Sequence, residues 1–169
     1  DGEQMIFGDG DQTNFGGFAR ALDVTGHEMA HGVVQFTANL EYKGQSGALN
    51  EHFADVFGIA IKQWHLKQTA QTADWLIGDG LMLGNMKGKA IRSLKSPSDK
   101  NIVISEQPEH YTKLYKGTAD NGGVHINSGI PNKAFYLVAL EIGTIEATKI
   151  WFEALKKLTA KAKFAALPK

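Results

Sequence analysis

A mostly helical α+β fold, with one small β element at the N-terminal edge, is predicted by three observations. Four stretches carry apolar residues at helical spacing, while only the first eight residues alternate weakly in the period of a strand. Glycine-rich and polar segments separate these stretches without any repeat or low-complexity linker. At 169 residues, 43% apolar and 21% charged, the chain has the bulk of one ordinary globular domain, and disorder and coiled coil are poor readings.

In chain order, residues 1–8 (DGEQMIFG) read as a strand running into a turn at Gly8–Asp11. Leu22, Val24, Met29, Val33, Val34 and Phe36 then place a helix over roughly 22–38. The stretch from Asn39 to Gly47 reads as a reversal. A second helix follows over roughly 48–67, with Leu49, Phe53, Val56, Phe57, Ala60 and Ile61 on its buried side. Residues 68–123 are irregular, with glycines at 78, 80, 84 and 88, a turn at 96–99 and a strong turn signal at Asn121-Gly122-Gly123. Two more helical patterns close the chain, over roughly 127–141 and 144–164.

Eighteen basic side chains balance eighteen acidic ones, and no block of one sign stands out, so neither nucleic acid nor a membrane surface is an expected partner. Apolar runs such as Phe135–Leu140 are far too short to span a bilayer. The absence of cysteine removes disulfides and thiolate metal sites and leaves the compartment open. The chain starts abruptly at Asp1 with no signal peptide in view, which fits a mature form or a piece of something longer.

The chemistry concentrates at His27-Glu28-Met29-Ala30-His31. Four residues advance a helix by about 400° and about 6 Å, so the imidazoles of His27 and His31 project from one face, one turn apart, and can reach one zinc ion. Glu28 lies about 100° round, beside the metal, where it can work on a bound water without taking a coordination position. By itself the motif arises by chance in roughly 1% of chains of this composition, so its weight depends on the residues downstream. Catalytic zinc needs a third protein ligand. Asn50-Glu51-His52-Phe53-Ala54-Asp55, early in the second helix, offers Glu51 as that ligand, and Asp55 one turn on to accept the far N–H of a ligating histidine. Both acids flank apolar residues on a core helix, where an unpaired carboxylate is costly.

HEMAH, then GALNEHFADVFG, then DNGGVHINSGIPNKAFY together resemble the thermolysin-like neutral metalloproteases, nearest the protealysin branch, from Asp1 to about Leu158. The resemblance implies a zincin-like helical catalytic core over 1–169 that hydrolyses peptide or protein substrates on the amino side of hydrophobic residues, with Glu28 as general base. It implies that His125, oriented by Asp120, and Tyr42 stabilise the oxyanion, and that Asn50 and Asp55 support the ligands. Arg92 matches a residue that holds a substrate carbonyl, and Phe15, Phe18, Val24, Ile77, Leu81 and Ile91 match the lining of a hydrophobic specificity pocket. Taken singly, Tyr42 reads as packing, Arg92 as surface charge and His125 as a helix-start residue. His52, His65 and His110 match no functional position and read as structural.

The resemblance also marks departures. A β-rich N-terminal half and further C-terminal helices are expected of the family but not of this chain, which would leave apolar surface open to an inhibitor, a propeptide or self-association. Asp23, Asp74 and Asp79 match calcium-binding positions, but Lys62 and Leu76 stand where carboxylates are expected, so a double site is not expected and a single weak Ca2+ stays open. Ala30 stands where the family has threonine and faces away from the metal. Secretion is what the family implies, with cytoplasmic residence open. Two alternatives to an active endopeptidase remain. One is a truncated zinc-binding core with little activity, and the other, weaker, is a zinc aminopeptidase.

Overall fold

The computed structural model describes residues 5–167. Its helices are α1 (Leu22–Gln35), α2 (Gly44–His65), α3 (Ala119–Asn127), α4 (Gly129–Ile142) and α5 (Thr144–Leu155), with a two-stranded antiparallel sheet of β1 (Leu76–Ile77) and β2 (Arg92–Ser93). The mostly helical class is as expected, but the small sheet lies in mid-chain. Of the strand expected over 1–8, residues 1–4 lie outside the described residues and 5–8 carry no strand pairing. The nearest β contact to that end is an isolated bridge from Phe15 to Met82.

Helix α2 organises the domain. Every residue from Ser46 to Val56 is buried, which marks a helix enclosed on all sides, and α1, α3, α4 and α5 all pack against it. On one side Val56 and Ile59 join Trp75, Ile77, Leu81, Leu94, Phe135 and Ala139. On the other, Leu49 and Phe53 join Val34, Leu40, Leu155 and Ala162. Enclosure also places Asn50, Glu51, His52 and Asp55 away from water, so each needs a polar partner.

Helix α1 turns Val24, His27, Ala30 and Val34 inward at spacings of three and four. It crosses α2 at Gly26 and Gly58, where a Cβ on Gly58 would stand 2.4 Å from the Asp23 carbonyl oxygen and 3.2 Å from the His27 nitrogen. Only glycine allows this approach, which brings the face of α1 bearing its histidines onto Glu51.

The element boundaries differ from expectation for local reasons. Helix α1 stops at Gln35, because Asn39 turns left-handed (φ 48°) and its N–H bonds the Val34 carbonyl at 2.9 Å. Helix α2 starts at Gly44, four residues before the expected 48, with the Ser46 hydroxyl donating to the Glu41 and Lys43 carbonyls at 2.8 Å each. The expected helix over 144–164 ends at Leu155, and the chain folds back so that Ala162, Phe164 and Leu167 cover the second cluster. No helix among the described residues is long and apolar enough to cross a membrane.

Candidate metal centre

The two motif histidines and the buried acid of α2 meet as the spacing requires. Nε2 of His27 lies 3.1 Å from Nε2 of His31 and 3.5 Å from Glu51 Oε2, and His31 Nε2 lies 3.4 Å from Glu51 Oε1. Four ligands placed tetrahedrally at about 2.0–2.1 Å from zinc would stand roughly 3.3 Å apart, so these separations are those of tetrahedral edges. Glu51 is fully buried and its Oε2 has no hydrogen-bond partner, an unsatisfied charge that a cation would complete. Two imidazole nitrogens and one carboxylate are also the donor set of catalytic zinc. Among the described residues, these three form the one cluster of histidine and acid side chains able to share a metal, and they fit zinc.

Each ligand is oriented from behind. His31 Nδ1 lies 2.8 Å from Asn50 Oδ1, and the Asn50 amide nitrogen donates to the Leu40 carbonyl at 3.3 Å. His27 Nδ1 lies 2.9 Å from Asp55 Oδ1. His31 thereby keeps its proton on Nδ1 and aims its Nε2 lone pair at the common centre, and the Asp55 carboxylate behind His27 favours the same arrangement there. Burial pushes the His27 imidazolium down, but the neighbouring Asp55 and Glu51 carboxylates outweigh it and raise the group to about 9. Glu51 is raised by burial yet brought down to about 2, chiefly by His27.

In front lies a cleft of roughly 440 Å³ lined by His27, Glu28, His31, Tyr42, Asn50, Glu51 and His125, among others. Glu28 is exposed at its edge, next in sequence to one ligand but outside the ligand set. The Tyr42 hydroxyl donates to Glu51 Oε1 and lies 3.0 Å from His125 Nε2. Burial, together with the Glu51 charge, holds the Tyr42 phenol well above its ordinary range. Asp120 clamps His125 twice, accepting from its backbone N–H and from Nδ1, each at 2.7 Å. The start of α3 makes this clamp. Asp120, Asn121, Gly122 and Gly123 are all left-handed, and the chain turns right-handed only at Val124, so the acid five residues before His125 folds back onto its ring. Glycine suits this conformation, while Asp120 and Asn121 adopt it at a cost that the two Asp120 hydrogen bonds help to offset.

Three other groups of expected residues lie outside the cleft lining. Arg92, expected to hold a substrate carbonyl, is buried, with Nε and Nη2 on the two oxygens of Asp55 at 3.0 and 2.7 Å. Val24, Ile77 and Leu81 are almost fully buried, with the partly buried Phe15, Phe18 and Ile91 packed against the same cluster, and none of the six lines the cleft in front of the ligands. Asp23, Asp74 and Asp79 do converge, but on an ammonium and not on a vacant calcium position. Lys62 Nζ lies 2.6 Å from Asp79, 3.3 Å from Asp74 and 3.5 Å from Asp23, and donates to the Leu76 carbonyl at 3.0 Å. Burial alone would lower the Lys62 ammonium, but the hydrogen bond to Asp79 and the charges of Asp23, Asp79 and Asp74 raise it, so the positive charge is held there.

Sequence reasoning missed His52, Asn132 and Gln107. The first two sit directly behind Asp55, with the Asn132 amide donating to its Oδ2 at 2.8 Å. Burial drives the His52 imidazolium down to about 4, so the ring is neutral. Gln107, also buried, donates to the His125 carbonyl at 2.5 Å and to Ser128 Oγ at 2.9 Å, and fixes the backbone of α3. The available signal was burial: polar residues within otherwise apolar helices, as His52 and Asn132 are, have to be partnered.

Comparison with known proteins gives the same picture. Residues 38–169 match the family model described as thermolysin metallopeptidase, alpha-helical domain, and residues 1–35 match thermolysin metallopeptidase, catalytic domain. The chain is 47% identical over 161 residues to an extracellular metalloprotease of Pectobacterium carotovorum, covering 91% of this chain and 46% of that protein. It is 40% identical over 164 residues to thermolysin of Alicyclobacillus acidocaldarius, covering 91% of this chain and 28% of the other. A solved structure of the precursor of protealysin, a metalloproteinase from Serratia proteamaculans, superposes with a TM-score of 0.92 at 48% identity, over 99% of this chain and 55% of that one. The chain thus spans about half the length, or less, of the relatives it matches.

Proposed function

Because this chain belongs to the thermolysin metallopeptidase family, we propose that residues 1–169 form one helical catalytic core of a zinc-dependent endopeptidase acting on the amino side of hydrophobic residues. The observation that carries the reading is the buried, unpartnered Glu51 oxygen facing two imidazoles, one hydrogen-bonded at its far nitrogen by Asn50 and the other backed by the Asp55 carboxylate at 2.9 Å. His27, His31 and Glu51 would hold the ion, which supplies a Lewis acid and an acidified water.

The remaining work falls to the chain itself. Glu28, at the cleft edge, takes the proton of the attacking water and returns it to the leaving amine. Tyr42 and His125 present polar atoms to the space where the carbonyl oxygen gains charge, and Asp120 fixes His125 there. The far edge of the Arg92 guanidinium is left to meet a substrate carbonyl. Phe15, Phe18 and Ile91, the partly exposed edge of their cluster, would meet a hydrophobic side chain, with Val24, Ile77 and Leu81 packed behind them. The partner is a peptide or protein substrate, and the naming of a relative as extracellular supports secretion.

A second reading has its own observation. Met29 and Val33 on α1 and Phe36 at its C-cap form an i, i+4, i+7 stripe that is 58%, 42% and 85% exposed. A helix apolar on two sides is built to be covered on two sides. On this reading the core holds zinc but hydrolyses little without a second layer over α1.

An internally quenched peptide with Leu or Phe after the scissile bond separates the two. Zinc-loaded protein should cleave it, chelator should stop it, and Glu28→Gln should abolish cleavage while keeping one zinc. Equal rates for wild type and Glu28→Gln would remove Glu28 from its role. One bound zinc with no cleavage by wild type would favour the second reading.

A further inference from the structure

Behind the metal centre runs a chain of hydrogen bonds from Trp151 to Asp55, each with a fixed direction, that ends on a close contact between the Asp55 carboxylate and His27. It begins on α5, where the Trp151 indole N–H donates to His52 Nε2 at 2.7 Å. An indole nitrogen can only donate, so His52 Nε2 must accept and its proton must sit on Nδ1. That nitrogen lies 2.7 Å from Asn132 Oδ1 on α4, and donates to it. With its oxygen committed, Asn132 turns its amide nitrogen to Asp55 Oδ2, 2.8 Å away. Asp55 Oδ1 in turn lies 2.9 Å from Nδ1 of His27.

We propose that His52 is a positioning residue for the metal centre, acting through Asn132 and Asp55 to hold His27 at its ligating angle. The inference rests on the reading of His27, His31 and Glu51 as zinc ligands. Two features support a specific role rather than plain packing. His52 and Asn132 are both fully buried, yet apolar residues would fill their places without the need to satisfy polar atoms. The chain also ties α5, α4 and α2 to one ligand of α1, so the packing of the C-terminal helices is registered at the metal. Without the Trp151 proton, His52 could adopt either tautomer, and the Asn132 amide could flip its oxygen toward the Asp55 carboxylate, which would push Asp55 away from His27.

The test uses the whole chain, zinc affinity by chelator competition, and the visible spectrum of the cobalt-substituted protein. His52→Phe keeps an aromatic ring but removes both links, and should raise the zinc Kd about tenfold, the lower end of the effect of outer-shell partners. It should also shift the cobalt bands, because the angle at His27 changes. Trp151→Phe removes the first donor alone, and should raise Kd roughly threefold; it carries the test if His52→Phe does not fold. Variants that unfold more easily but keep the wild-type Kd and cobalt spectrum would overturn the inference, leaving His52 as packing. Wild-type protein that takes up no zinc would overturn the metal centre itself.

Discussion

Replacing Lys62 by methionine tests whether an ammonium does in this fold what a bound cation would. Lys62→Met keeps the length of the buried stem but deletes the charge that meets Asp23, Asp74, Asp79 and the Leu76 carbonyl. Breaking a buried ion pair by removing one partner costs about 3–5 kcal/mol. Asp74 and Asp79 are 38% and 36% exposed at the side chain, so water screens them, and Asp23 keeps its bonds from the Val24 and Gly78 N–H groups. The expected loss is therefore about 2–3 kcal/mol, or roughly 5–10 °C in Tm for a domain of this size. The variant leaves three carboxylates and a carbonyl around an emptied position, a fair start toward the six to eight oxygens that calcium takes. Calcium at ten times its Kd would return about 1.4 kcal/mol. The assay is thermal unfolding at fixed zinc, with and without millimolar calcium. Wild type should not respond, while Lys62→Met should start lower and rise. A calcium-stabilised wild type, or a variant as stable as wild type, would refute the reasoning.

Three further outcomes are expected from the same geometry. Glu51→Ala should lose most zinc, since two imidazoles alone remain; normal metal content by elemental analysis would remove Glu51 from the site. In metal-free protein, His27 titrates at about 9 folded against about 6.5 unfolded, so its contribution is complete below pH 6.5 and is lost as pH rises through 9. Urea unfolding should show metal-free protein weaker at pH 9.5 than at pH 6 by at most about 3 kcal/mol, a decline absent from zinc-loaded protein, and a flat metal-free profile would contradict it. Gly58→Ala places a methyl 2.4 Å from the Asp23 carbonyl oxygen, and should cost about 1–3 kcal/mol and weaken zinc binding as α1 is pushed off α2. An unchanged Kd there would mean that the helix crossing does not set the site.

Much of the site was legible because helical spacing is rigid. Once His27 and His31 share a face, and Glu51 and Asp55 share another, the reversal between the helices leaves few ways to bring the faces together. Lys62 among acids was legible for a related reason, since an ammonium standing where carboxylates are expected needs such partners. What could not be read is whatever depends on tertiary closure. No proline or glycine between Leu155 and Phe164 breaks a helix; the chain turns there because Ala162, Phe164 and Leu167 gain more from covering the second cluster. Asn121-Gly122-Gly123 announced a turn, but not that four left-handed residues would lay Asp120 against His125. His52 looked idle because its partners, Asn132 and Trp151, are 80 and 99 residues away.

Arg92 shows how one contact can bind two parts of the chemistry together. Asp55 is fully buried, and its two oxygens meet His27 Nδ1, Arg92 Nε and Nη2, and the Asn132 amide. Burial alone would raise its carboxyl, but Arg92 and His27 outweigh this and hold it well below the usual carboxylate range. The anion that stiffens a zinc ligand is therefore balanced by the same guanidinium that the resemblance assigns to a substrate carbonyl. With Nε and one Nη2 proton used on Asp55, the plane of the fork is set, and only its far edge remains to reach a peptide. Lysine at this position would keep the charge but could not form both bonds to Asp55, so it would disturb the His27 side. The charge balance and the orientation of the carboxylate behind His27 thus rest on one planar contact, and a lysine there would be read out at the metal as a weaker zinc Kd.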